Sequence, residues 1–161
     1  MRQIILEALE RGMSIVRGGH EIIPTCHVMS GPETFVLMTR FDPDAPGQRD
    51  RMIYLASRFM VWKMATDFVL SAEMSLGTRD TEREDVVLAV GVSRTDRVGV
   101  IRRIQRGKPV TFGKPEWLGE HSLDPLYFEM LPKGTEVLTA EEVAELSVVF
   151  GNGGEVPVTR M

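Results

Sequence analysis

Between residues 67 and 104 apolar side chains return at every second position. They run Phe68, Leu70, Ala72, Met74 and Leu76, then Val86, Leu88, Val90 and Val92, then the stretch Val98 to Ile104. Successive side chains of a strand point to opposite faces, so a period of two requires a sheet with its apolar side against a core. The charged segment Gly77 to Asp85 and the polar break Ser93-Arg94-Thr95-Asp96-Arg97 separate the runs and predict antiparallel neighbours. The same period appears upstream, where Ile22, Pro24, Cys26 and Val28 share one face and Ile23, Thr25, His27 and Met29 the other. Ser30-Gly31-Pro32 signals a turn into a second strand, Thr34 to Phe41, with Phe35, Leu37 and Phe41 on one side.

Asp42-Pro43-Asp44-Ala45-Pro46-Gly47 has loop composition and separates the first hairpin from a helix over about 48–66. Met52, Leu55, Ala56, Phe59 and Met60 hold helical spacing there, and Ile53, Trp62 and Met64 widen the stripe, which predicts a central buried helix. Ile5, Leu9 and Met13 predict a short amphipathic helix over 2–13. Beyond Arg106, prolines and glycines at 109, 113, 115, 119, 125 and 132 pace short pieces anchored by residues such as Phe112, Trp117, Leu126, Tyr127, Phe128 and Leu131. Leu138-Thr139-Ala140-Glu141-Glu142-Val143 carries a capping box between Thr139 and Glu142, so a last helix should begin there and stop at Gly151. The expected fold is α+β: a single antiparallel sheet of about five strands, a long central helix packed on one face, a short N-terminal helix and a C-terminal helix. It forms one domain over 1–150, with a core over 1–106, a wrapped extension over 107–150 and a flexible tail over 151–161.

Bulk properties narrow the function classes. The 161-residue chain is long enough to bury a core without disulfides, and its single cysteine, Cys26, cannot form an internal one. Met52 to Leu76, the longest apolar-rich stretch, is broken by Arg58, Lys63, Asp67 and Glu73, so no membrane-spanning run is expected. Glu7 falls inside the opening Met1 to Glu7 segment, which lacks a signal-peptide pattern, and a cytoplasmic location is expected. A formal net charge of -4 argues against nucleic acid as a partner. Arg94, Arg97, Arg102, Arg103, Arg106 and Lys108 form a local basic strip, but they alternate faces and read better as protection of an edge strand.

No chemical motif is complete. Cys26 beside His27 suggests a thiol–imidazole pair, which strand geometry opposes by sending the two to opposite faces. Thr25, His27, Ser71, Glu73 and Ser75 should share the face away from the central helix. His27 oriented by Glu73 is the candidate acid/base pair of a small hydrolase, or with His20 or His121 the start of a metal site, although no metal-ligand spacing is present. The glycine-rich pieces at 17–19 and 151–154 lack the residues of a phosphate loop, and no cofactor is indicated. Ten methionines, several of them on the central helix, read as core filler.

The run Asp67-Phe68-Val69-Leu70-Ser71-Ala72-Glu73-Met74, with Arg79, Arg83-Glu84-Asp85 and then Val86-Val87-Leu88-Ala89-Val90, resembles a group of uncharacterised small bacterial and phage-borne proteins. In those a strand ends in serine, glutamate, alanine, tryptophan before an arginine-glutamate loop; here Met74 and Ser75 stand in place of the last two. The resemblance implies no assigned activity and singles out Glu73. The element order also resembles roadblock and profilin-like folds, which implies helices on a five-stranded sheet and frequent dimers. With no catalytic motif, the expectation is a non-enzymatic interaction or regulatory module, a homodimer, that binds another protein through a sheet edge or the wrapped C-terminal segment.

Overall fold

The computed structural model describes residues 1–38, 46–76, 84–123, 129–133 and 136–150, together with the backbone of 158–160. Its elements are α1 (Arg2–Arg17), β1 (Thr25–Ser30), β2 (Glu33–Met38), α2 (Gln48–Trp62), β3 (Asp67–Leu76), β4 (Glu84–Ser93), β5 (Arg97–Gln105), β6 (Thr111–Phe112), β7 (Glu116–Leu118), α3 (Ala140–Phe150) and β8 (Val158–Arg160). Five long strands lie in the order β5-β4-β3-β1-β2, all antiparallel to their neighbours. Gly31, at φ 57, opens the two-residue connection between β1 and β2 with Pro32 behind it, the placement that a tight hairpin turn of the II′ kind requires.

The alternation sorts side chains as expected on the α2 side. Cys26, Val28, Phe35, Leu37, Phe68, Leu88 and Val90 face Leu55, Phe59 and Met60 of α2 and Leu146 and Phe150 of α3. Phe59 sits at the centre, edge-on to Phe35 at 5.6 Å, Trp62 at 5.8 Å and Phe150 at 5.5 Å between ring centroids. The capping box also forms: the Glu142 amide donates to Thr139 Oγ1 at 3.1 Å, and the Thr139 amide donates to Glu142 Oε1 at 3.2 Å. Arg58 of α2 then pairs with Glu142, which fastens α3 to α2.

Three expectations need correction. Helices cover both faces of the sheet, not one, because α1 lays Ile5, Leu9, Met13 and Val16 on Val69, Val87, Ala89, Val100 and Ile104. The physical reason is the unbroken apolar run of β4 from Val86 to Val92, which supplies both faces with aliphatic carbon and so must be buried on both. The expected short N-terminal helix accordingly extends to Arg17, and α2 is no longer than α1 and is not buried all round, since Tyr54 is 49% exposed. Finally, short strands extend the sheet beyond five. β6 and β7 both pair with β5, covering its outer edge at Ile104–Gln105 and Gly99–Ile101, while β8 pairs with β2 at Phe35–Leu37.

α1 approaches β4 closely at two glycines. A Cβ on Gly12 would lie 2.9 Å from Val87 Cγ1, and one on Gly91 would lie 2.7 Å from Ile5 Cδ1. The wrapped extension contributes Leu123, Met130 and Leu131 to the α2-side core. Where a flexible tail is expected, residues 158–160 form β8; the rest of that tail, the loop 77–83 and the anchors Leu126, Tyr127 and Phe128 lie outside the described residues. No helix among the described residues is long and apolar enough to cross a membrane.

Candidate functional site

The β1–β3 register sets Thr25 opposite Ser71 and His27 opposite Val69, so Thr25, His27, Ser71 and Glu73 share the face that α1 packs against. Sharing a face does not bring His27 and Glu73 together. Glu73 is four residues beyond the partner of His27, about 13 Å along the strand at 3.3 Å per residue. That is several times the reach a carboxylate needs to orient an imidazole.

Each has a different partner. Arg11 on α1 donates from Nη2 to His27 Nε2 at 3.4 Å, which leaves the ring proton on Nδ1 because a guanidinium can only donate. Burial, and then the Arg11 charge, hold the His27 pKa below its usual value, so the ring is neutral near pH 7. Glu73 pairs with Arg106 and accepts the Ile22 amide at 3.5 Å. Arg106 also binds Asp85 Oδ2 at 3.0 Å, and Ser75 Oγ donates to Asp85 Oδ1 at 2.8 Å. The bonds from Ser75 and Arg106 lower the Asp85 pKa. This network joins the end of β5 to β3 and β4, a fastening role that leaves Glu73 no free oxygen pointed at a substrate.

The remaining sequence candidates are likewise accounted for. Cys26 is buried on the α2 side, where desolvation pushes its thiol up to about 12, far from a reactive thiolate. His20 and His121 are exposed, and no group of three metal-ligating side chains exists among the described residues. Within the basic strip, Arg102 donates to the Gly113 carbonyl at 2.6 Å, Arg103 pairs with Glu84 and Glu116, and Arg106 is held as above. An open depression of about 250 Å³ beside α2, lined by Asp50, Ile53, Tyr54, Ser57, Glu129 and Met130, brings no nucleophile and base together.

Among the described residues, α1 leaves its side of the sheet only partly covered at the β1–β2 end. α1 lies chiefly on β3, β4 and β5, so on its side Thr25, His27, Met29, Thr34 and Val36 are only partly buried and Met38 is 37% exposed. On the other side the Lys63 ammonium stands 3.9 Å from the Trp62 ring centroid, 5.3 Å from Phe35 and 5.9 Å from Phe59. No carboxylate among the described residues pairs with Lys63 or with Arg11. Lys63 stands against Phe35 of β2 and Arg11 against His27 of β1; the outer edge of β2 accepts β8 over three residues. Sequence reasoning missed both cations. The signal for Lys63 was an aromatic residue one and four positions before it on one helix, at Trp62 and Phe59. No family model matches the chain, and neither a curated protein nor a solved structure matches it.

Proposed function

We propose that this protein is a non-enzymatic binding module that takes up an extended segment of another protein as an added strand along β2. The asymmetry of the two sheet edges carries the reading. β5 is shielded along both halves by β6 and β7, whereas β2 accepts a three-residue strand that arrives from the far end of the chain. Unpaired edge groups are a template for another strand, and strand addition is a common mode of peptide capture. The partly exposed α1 side of β1 and β2 supports the same reading, because it leaves room for a partner beyond the strand itself. A second copy can use the same edge, so exchange of β8 between copies is the route we propose to a homodimer.

Deleting residues 158–161 tests this. The shortened chain should lose hydrogen-exchange protection at Phe35–Leu37, and should either self-associate in light scattering or capture a partner from the native host that the full chain captures less. A shortened chain that keeps its β2 protection, stays monomeric and captures nothing refutes the proposal.

A further inference from the structure

Taking β2 as a strand acceptor, we propose that it selects acidic segments, reading a carboxylate opposite Phe35 with Lys63 and one opposite Val36 with Arg11. Residues directly opposite one another on paired strands share a face, with Cβ atoms about 5 Å apart. The position opposite Phe35 therefore lies on the α2 side, where the Phe35 ring is 5.3 Å from the Lys63 ammonium. The position opposite Val36 lies on the α1 side, in the row that continues through His27, whose ring Arg11 touches at 3.4 Å.

Both cations are held in place. The Lys63 carbonyl accepts a hydrogen bond from Ser30 Oγ at the end of β1, its amide donates to the Phe59 carbonyl at 3.0 Å, and three rings fix its ammonium. Arg11 projects from a helix whose neighbouring turns are anchored by Leu9 and Met13, each at most 2% exposed. A single acid, Glu33, stands on β2 itself, at its turn end. The resident strand supplies no carboxylate at either position, where it places Arg160 opposite Phe35 and Thr159 opposite Val36. It holds the edge through backbone pairing and leaves the charge match to a partner that displaces it.

The test keeps the full chain. Arg160→Glu and Thr159→Glu should each raise hydrogen-exchange protection of Phe35–Leu37 by about threefold to fivefold at low salt, in keeping with partly exposed ion pairs, and less at high salt. Lys63→Met should abolish the Arg160→Glu gain and spare the Thr159→Glu gain; Arg11→Gln should do the converse. Coupling confined to each face in double-mutant cycles supports the assignment. Acidic substitutions without added protection, or gains that survive loss of the cation on the same face, overturn it while leaving the strand-acceptor reading intact. If the chain lacking 158–161 keeps its β2 protection, stays monomeric and captures nothing, the acceptor reading itself fails. Lys63→Gln provides a second variant should Lys63→Met disturb the aromatic cluster.

Discussion

Placing an alanine at Gly91 tests the packing of α1 on β4 most directly. The new Cβ would meet Ile5 Cδ1 and Met1 Sδ at 2.7 Å and Ile5 Cγ1 at 2.9 Å, against the 3.5–4.0 Å at which carbon atoms attract. Met1 can swing its side chain away, but Ile5 is fully buried among Val69, Val87 and Ala89, so α1 must lift by roughly 1 Å or Ile5 must leave its rotamer. Overpacking of this kind costs about 1–3 kcal/mol. Replacing glycine returns about 0.5–1 kcal/mol through the unfolded chain, so the net loss should be about 0.5–2 kcal/mol. Gly12→Ala is the comparison: it gains about 1 kcal/mol of helix propensity, which offsets part of the cost of meeting the buried Val87 Cγ1 at 2.9 Å and Ile22 Cδ1 at 3.1 Å, so it should lose less than Gly91→Ala. Urea unfolding followed by circular dichroism, with an unchanged m-value, measures both. Ile5→Val in the Gly91→Ala background should recover part of the loss, with a coupling above about 0.5 kcal/mol. A Gly91→Ala protein as stable as the parent, or one that Ile5→Val does not relieve, would refute the placement of α1.

Phe59→Ala should cost about 3–5 kcal/mol in the same assay, since it empties the space between three edge-on rings; a loss under 1 kcal/mol would contradict the central position of Phe59. The folded-state pKa of His27 lies below its unfolded value, so the stability His27 contributes is complete above about pH 6.5 and declines as the pH falls below it. The urea midpoint of His27→Gln should therefore fall less than that of the parent between pH 7.5 and 5, and parallel curves would count against the assignment. Cys26 should resist a thiol reagent in the native protein and react only at the rate of opening, so rapid labelling at pH 8 would show that the thiol is not buried as described. Glu73→Gln should shift stability by no more than about 1 kcal/mol, because Arg106 is 52% exposed; any hydrolytic activity that vanished with this change would revive a catalytic role.

The parts of the fold set by local periodicity were legible in the sequence. Phe68 and Leu70, Val86 to Val92, the Gly31-Pro32 turn and the Thr139–Glu142 box each declare themselves within a few residues, and each forms. The second helical layer was legible too, but in a signal of a different kind. Val87, Ala89 and Gly91 fill the positions between Val86, Leu88, Val90 and Val92, and a strand with no polar residue on either side cannot have a solvated face. Reading only the stronger aliphatic set gives one covered face; reading both gives two.

The site was less legible because it depends on residues distant in sequence. The spacing that puts His27 and Glu73 on one face is a property of each strand alone, whereas the distance between them depends on the register of β1 against β3, which the sequence does not display. The same holds for charge. Arg102, Arg103 and Arg106 look like a basic strip in the sequence, yet the carbonyl and carboxylates that engage them come from Gly113, Glu84, Glu116, Glu73 and Asp85. Arg11, beside His27 of β1, and Lys63, against Phe35 of β2, are unremarkable in the sequence, and among the described residues neither pairs with a carboxylate. In a chain with four more acidic than basic residues, cations left without a carboxylate are a more specific sign of a binding surface than clustered ones. Clustering reports only sequence proximity, while a fixed cation that the fold leaves unmatched keeps its electrostatic potential for whatever docks against it.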